Sequence, residues 1–291
     1  MSSHLSEPAG ITASIVGYSE NPEQLLAAIQ SCLSAPIKVD LTMIDNSPGN
    51  ALRRIVKDLN VSYIASPRNL GFGTAHNIAL RESLNQSKYH LVLNPDVRFD
   101  SQVLPALYDF MEAAPEVGLV MPRVLYPDNR EQRLCKLLPT PLDLILRRFG
   151  GKYGAKYFQN RISRYLLANA DLSLPRMVPS LSGCFMFLRT EVLREVGVFD
   201  EQYFMYMEDV DLCRRIGAVS KTVFFPEVSI YHEYHKGSYR DVALLKRHLI
   251  SAFRYFQKWG WLQDRERDLR NSVAFDDETA TLRVETSDHA A

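Results

Sequence analysis

Apolar residues follow two rhythms along this chain. Short β-rich runs bounded by turn residues recur in the first hundred positions: ITASIVGY (11–18), VDLTMIDNS (39–47), VSYIAS (61–66) and HLVLN (90–94). Such runs read as buried strands. Between them lie stretches of helical spacing. One helix is expected at 23–34, after the Ser19-Glu20-Asn21-Pro22 turn, and another in ALRRIVKDL (51–59). PRNLGFGTAHN (67–77) leads into a third, running through Leu84. Strands alternating with helices predict βαβ units, a parallel sheet and the α/β class.

The second half is less regular. QVLPALYDFMEAAP (102–115) reads as a helix and VGLVMPRVLY (117–126) as a strand. SLSGCFMFLRTEVLREVGVFDE (180–201) predicts a strand, then a helix from Thr190, whose hydroxyl suits an N-cap, ending at Gly197. A strand should end near His232, and DVALLKRHLISAFRYFQKW (241–259) carries an apolar stripe and a basic face. Residues 1–10 and the tail 263–291, acidic and Thr-rich from Asp276, are expected to be disordered.

Composition narrows the function classes. The 291 residues are 46% hydrophobic and 23% charged, ordinary for a folded domain with a sizeable core. Lys plus Arg and Asp plus Glu are 34 each, so global charge gives no argument for nucleic acid. The four cysteines, Cys32, Cys135, Cys184 and Cys213, form no C-x-x-C pair. They suit a reducing cytoplasm rather than a disulfide framework or a zinc site. MSSHLSEPAG lacks the regions of a signal peptide, and no stretch is long and apolar enough to span a bilayer. A cytoplasmic location is expected, with any membrane contact peripheral. Locally, 130–176 is basic, with Arg133, Lys136, Arg147, Arg148, Lys152, Lys156, Arg161 and Arg164 among apolar residues. It reads either as a membrane- or partner-binding element or as a solvated helix over the sheet edge.

Four constellations could carry chemistry. Pro95 should end the fourth strand near Asn94 and leave Asp96 just past its carboxyl end. Open α/β sheets bind ligands at that edge, and a carboxylate there could hold a divalent metal against a phosphate. Asn, Pro and Asp are also ordinary turn residues. Asp45-Asn46-Ser47 could accept from a nucleobase or could cap a helix. Arg68-Asn69-Leu70-Gly71-Phe72-Gly73, followed by Asn77, could let a ligand approach the backbone or form a plain turn. It matches neither G-x-G-x-x-G nor the P-loop. Glu208-Asp209-Val210-Asp211 follows the apolar run Tyr203–Met207 and so points to a cleft, where a carboxylate could act as general base. Positions 208 and 211 should share a helical face, with 209 pointing elsewhere. His232, with His235 and Ser238 nearby, could ligate a metal at the sheet edge.

In this order, and with SGCFMFLRTEVLREVGVFDE, these signals resemble the family-2 glycosyltransferases of GT-A fold, closest to the bacterial rhamnosyltransferase-like branch. The likeness runs from Ile11 to Leu262. It implies a Rossmann-like central sheet in one domain over 11–262, with a nucleotide-sugar half (11–100), an acceptor and catalytic half (101–240) and a C-terminal helix (241–262). By the resemblance, Asp45 meets the nucleobase, and Asn69, Gly73 and Asn77 line the nucleotide pocket. Ser182 and Gly183 lie beside the donor sugar, and Glu208 belongs to the nucleotide-sugar site. Asn94-Pro95-Asp96 stands where the family carries Asp-x-Asp, so Asn94 adds no charge and Asp96 is the main carboxylate ligand. His232 is a second ligand for Mg²⁺ or Mn²⁺, and Asp209 is the catalytic base. The implied reaction is inverting transfer of a sugar, L-rhamnose from dTDP-L-rhamnose being the first choice. UDP- and GDP-sugars are the other donors, and a glycan or a polyprenyl-diphosphate-linked sugar is the acceptor.

Two other readings remain open here. A sugar nucleotidyltransferase also uses parallel strands, carboxylates and a metal, but no Lys/Arg-rich glycine loop near the N-terminus stands ready for a triphosphate. An inactive carbohydrate-binding scaffold would be expected to have lost Asp96, Asp209 or His232.

Overall fold

The computed structural model describes residues 10–149, 156–233 and 242–282. Strands β1 (Ile11–Gly17), β2 (Val39–Asp45), β3 (Ser62–Ala65) and β4 (Tyr89–Leu93) pair in parallel in the order β3-β2-β1-β4. Every residue of β4 is buried, which is why its sequence is apolar without alternation. Helices α1 (Pro22–Leu33), α2 (Arg53–Val56) and α3 (Gly73–Ser83) make the connections. α1 begins where the sequence predicts. The Asn21 side chain accepts from the amides of Glu23 and Gln24, and Pro22 sits in the first turn.

The chain continues through β5 (Val97–Phe99), α4 (Val103–Ala113), β6 (Val117–Leu125), α5 (Pro141–Phe149), α6 (Lys156–Tyr165) and β7 (Arg176–Met177). Then come β8 (Phe185–Arg189), α7 (Thr190–Val196), α8 (Glu208–Val219) and β9 (Lys221–His232). The sheet extends as β4-β8-β6-β9-β5, with β7 on β9. β8 runs antiparallel to both neighbours, and β5 antiparallel to β9. The mostly parallel sheet expected from the sequence therefore holds for β3-β2-β1-β4 and the β6–β9 pair, and the whole is mixed. Thr190 opens α7 as expected, but its hydroxyl donates to the Ser87 carbonyl at 2.6 Å instead of capping. Gly197, at φ 81°, ends that helix.

Two registers decide where the loops go. β4 pairs with β8 so that Leu93 faces Phe185, and the Asn94 amide donates to the Cys184 carbonyl at 2.9 Å. Residues 182–184 therefore lie beside Asn94. β5 pairs with the end of β9, Val97 facing His232, and the Glu233 amide donates to the Asp96 carbonyl at 3.0 Å. The short strand β5, unforeseen in the sequence, thus sets Asp96 beside His232.

The C-terminal region departs from expectation. Helix α9 (Val242–Trp259) is followed by α10 (Arg265–Val273) and α11 (Asp277–Ala280). Residues 263–282 are thus ordered, not a disordered tail. Fully buried Arg214 of α8 is held by both carboxylate oxygens of Asp264, each at 2.6 Å. Buried Arg176 is held by Asp277 at 2.7 Å. Asn271 exchanges two hydrogen bonds with the Leu138 backbone, at 2.8 and 2.9 Å. Guanidinium groups taken out of water need such partners, and the tail supplies them. The expected disordered start up to residue 9, the end from 283, and His235 and Ser238 lie outside the described residues. Among the described residues no helix is long and apolar enough to cross a membrane.

Candidate active site

A cleft of about 320 Å³ opens at the carboxyl end of β4. Asn94, Ser182, Gly183, Glu208, Asp209 and His232 all line it. Asp96 adjoins through His232, whose Nε2 is 3.4 Å from Asp96 Oδ1. Seven of the eleven expected site residues therefore meet in one place.

Asp209 stands in the first turn of α8. Its Oδ2 accepts from the Gly183 amide at 3.1 Å and its Oδ1 from the Val210 amide at 2.9 Å. A side chain at Gly183 would put its Cβ 3.3 Å from both the Asp209 Cβ and the Phe72 ring. The small residue thus serves close packing against the carboxylate. Tyr206 and Met207, just before α8, both stand at positive φ, 70° and 69°. Non-glycine residues rarely adopt that conformation. Here it turns the chain sharply into the helix.

Glu208 and Asp209 both face the cleft, whereas Asp211 turns inward. The helical spacing instead predicts 208 and 211 on one face. Asp211 is fully buried and bound by Arg215, Lys258 and the Trp259 indole, each at 2.8 Å. Those three partners come from α8 and α9 and hold it in the interior. Glu208 is buried, and its Oε2 has no hydrogen-bond donor among the described residues. Burial, then the charge of Asp209, push its carboxyl up to about 8.

The Asp96–His232 pair suits a divalent cation. Asp96 Oδ1 is buried and accepts no hydrogen bond among the described residues. Gln132 donates through Nε2 to the His232 carbonyl at 2.6 Å, which turns its Oε1 toward His232 Nδ1 at 3.0 Å. That orients the ring with Nε2 toward Asp96, as a ligating imidazole is usually held through its other nitrogen. Burial lowers the His232 pKa, but Cys184 and Asp96 outweigh it and push it up to about 10. A cation would displace that proton. Among the described residues no cluster of three acidic, His or Cys side chains forms, and Asp96 and His232 are the pair found together there.

The other expected residues lie away from the cleft lining. Asp45 is buried, its carboxylate accepting from the Ser47 amide, the Leu52 amide and the Tyr63 hydroxyl at 2.8, 3.0 and 2.7 Å. These bonds hold its pKa low against burial, and they shape the loop after β2. Asn77 is fully buried, and its amide is spent on the Phe199 backbone and on Glu201. It ties α3 to the 199–201 loop. A Cβ on Gly73 would meet Phe199 at 2.8 Å, so that glycine serves helix packing. Asn69 accepts from the Gly71 amide at 2.9 Å. Gly71 itself stands at φ 83°, with space for no Cβ, which would fall 1.9 Å from the Phe204 carbonyl oxygen. From this glycine loop, Phe72 reaches the cleft.

Sequence reasoning reads Lys136, Arg147 and Arg148 as part of a basic membrane- or partner-binding stretch and singles out neither Tyr165 nor His248, yet all five line the cleft. The basic composition of 130–176 was the available signal. What it lacked was direction, because the facing of α5 depends on tertiary contacts such as the Asp143–Arg161 ion pair to α6 at 2.7 Å.

The profile of the family described as Glycosyl transferase family 2 matches residues 13–197, more than half the chain. The chain is a family-2 glycosyltransferase. This transferase is 28% identical over 246 residues to an N-acetylglucosaminyl-diphospho-decaprenol L-rhamnosyltransferase from Mycobacterium tuberculosis (strain CDC 1551 / Oshkosh), covering 78% of this chain and 77% of the relative. It is 25% identical over 215 residues to the rhamnosyltransferase WbbL of Escherichia coli (strain K12), covering 70% and 76%. Among solved structures, GalNAc-T7 with UDP, GalNAc and Mn²⁺ superimposes with a TM-score of 0.59 at 15% identity, over 87% of this chain. The transferase spans about half that structure, 48%, and the likeness bears on the α/β GT-A fold alone.

Proposed function

We propose that this glycosyltransferase moves L-rhamnose, with inversion, from dTDP-L-rhamnose to a sugar carried on a lipid diphosphate. The observation that carries the reading is Asp209, fixed by the Gly183 amide inside a cleft it shares with His232. The names of the two rhamnosyltransferase relatives favour this sugar, and the diphospho-decaprenol in one of them favours this acceptor.

Asp209 acts as general base. Its carboxylate takes the proton from the acceptor hydroxyl as that oxygen attacks the anomeric carbon from the face opposite the leaving nucleotide. The bond to the departing phosphate breaks as the new glycosidic bond forms, so configuration inverts and no sugar–enzyme bond is needed. The two backbone N–H groups on Asp209 leave each oxygen a further lone pair for the acceptor proton. Asp96 and His232 are the residues that would hold Mg²⁺ or Mn²⁺, the nitrogen–oxygen set suiting such ions. The ion would supply positive charge for the phosphate that leaves. Asn94, beside Cys184, presents a neutral amide to the same end of the cleft.

The place of action follows from the acceptor. A lipid-linked sugar puts the enzyme on the cytoplasmic face of the membrane, where nucleotide sugars are found, in peripheral contact. The deciding experiment offers a lipid-diphosphate-linked GlcNAc with dTDP-, UDP- and GDP-sugars and reads products by mass spectrometry. Rhamnosylated product from dTDP-L-rhamnose is expected. A nucleotide sugar made from a sugar phosphate, or no product from any donor, would overturn the reading.

A further inference from the structure

The cleft is lined by cations to which the proposed mechanism gives no role. Lys136, Arg147 and Arg148 line it together with His248 of α9. They share one field. Burial, then Arg147, lower Lys136 to about 8, and burial, then Arg147, lower His248 to about 4. Asp209 is the acid that opposes them. Like charges gathered in a half-buried cleft are a receptor for an anion.

Helix α5 shows which anion. Leu144, Arg147 and Arg148 of this helix line the cleft. Leu142 and Ile145, on its other side, are 40% and 54% exposed. The same change occurs on α9, where His248 lines the cleft and the next two residues, Leu249 and Ile250, are 58% and 42% exposed. A charged pocket bordered by apolar surface on two adjacent helices matches a diphosphate that continues into a hydrocarbon chain. A nucleotide diphosphate continues into a ribose and has no use for that border.

We infer that Lys136, Arg147 and Arg148 form a subsite for the diphosphate of the lipid-linked acceptor, set beside Asp209 so that the sugar between them presents its hydroxyl to the base. The inference rests on the proposed acceptor class. Arginine suits the task because its planar fork binds phosphate oxygens in pairs, while lysine adds a mobile charge. The subsite aligns the acceptor as well as binding it. With the diphosphate held on α5, the reacting hydroxyl is the one that lies across the sugar ring.

The test is equilibrium binding, followed by calorimetry, with two probes: undecyl-diphospho-GlcNAc and dTDP-L-rhamnose. Arg147→Gln, Arg148→Gln and Lys136→Gln are each expected to weaken the undecyl-diphospho-GlcNAc probe about tenfold, the size of one lost charge-assisted hydrogen bond. Their affinity for dTDP-L-rhamnose should stay within about twofold. Arg147→Lys, which keeps the charge and loses the fork, should fall between. Thermal melting of each variant separates lost binding from lost folding. If the variants lose the donor instead, the cations serve the donor diphosphate and the inference fails. Unchanged binding of both probes, or no wild-type affinity for undecyl-diphospho-GlcNAc, also overturns it. Binding requires no turnover. A wild type that binds this probe through Arg147 and Arg148 but never rhamnosylates it leaves the subsite standing and removes the proposed reaction.

Discussion

The Gly183 amide donates to Asp209 Oδ2 at 3.1 Å, joining the loop before β8 to the first turn of α8. Asp209→Asn keeps the shape and removes the proposed base. Transfer is expected to drop by about a hundredfold or more, within the range of a positioned general base, while donor affinity persists. Near-native turnover in that variant would remove Asp209 from the role. Gly183→Ala, whose Cβ would press within 3.3 Å of Asp209 and Phe72, should lower kcat more than it changes melting temperature.

Asp96→Ala removes the carboxylate that faces His232. Donor binding in the presence of Mn²⁺ should weaken to the level seen with chelator, and chelator should then have no further effect. Calorimetric titration of donor with and without Mn²⁺ checks this; unchanged ion-dependent binding would contradict the assignment.

Glu208 makes stability depend on pH. A carboxyl whose folded pKa is raised favours the folded state below the unfolded value near 4.5, and that contribution is lost as pH rises through about 8. Between those limits the wild type should lose up to about 1.4 kcal/mol per pH unit relative to Glu208→Gln. Urea unfolding of both proteins across pH 5 to 8 measures the difference, to which His232 contributes equally in each. Parallel pH profiles would show that Glu208 ionises as if exposed.

Asn77 separates packing from ligand contact. Asn77→Ala leaves the Phe199 amide and carbonyl without their buried partner, at a cost of about 1–3 kcal/mol. The donor dissociation constant of the folded fraction should not move. A large rise in that constant with unchanged stability would instead support the expected nucleotide role.

Asp264→Ala strands a buried guanidinium, and loss of about 3–5 kcal/mol is expected. The same disruption should blunt activity, since Arg214 lies in the helix that carries Asp209. Chemical denaturation with a parallel activity assay checks both effects.

Much of the architecture is legible in the sequence because it rests on local signals. The runs before Gly17, Asp45 and Pro95 mark three strands, and Asn21-Pro22 marks a helix start. The gathering of residues at the candidate cleft is legible where a residue ends a strand or begins a helix, as Asp96, His232 and Asp209 do. It is less legible where a polar side chain also has partners inside the molecule. Asp45 and Asn77 resemble ligand-binding residues in sequence, and only tertiary contacts reveal that their hydrogen-bonding groups are engaged by Tyr63 and Phe199. Ser14 likewise joins His76 and His90 in a buried network, each ring nitrogen 2.8 Å from its hydroxyl, with no pattern in the chain to announce it. The ordered tail was missed for a related reason. Acidic residues such as Asp264 and Asp277 read as solvated until the buried arginines they neutralise are known.

The left-handed pair Tyr206–Met207 gives helix α8 a sprung mounting. Each such residue costs about 1–2 kcal/mol against an ordinary backbone, so the fold is less stable than a relaxed turn would make it. Glycine at 206 would release part of that tension and raise the melting temperature. It would also let the first turn of α8 wander, and the carboxylate at 209 would lose its fixed aim.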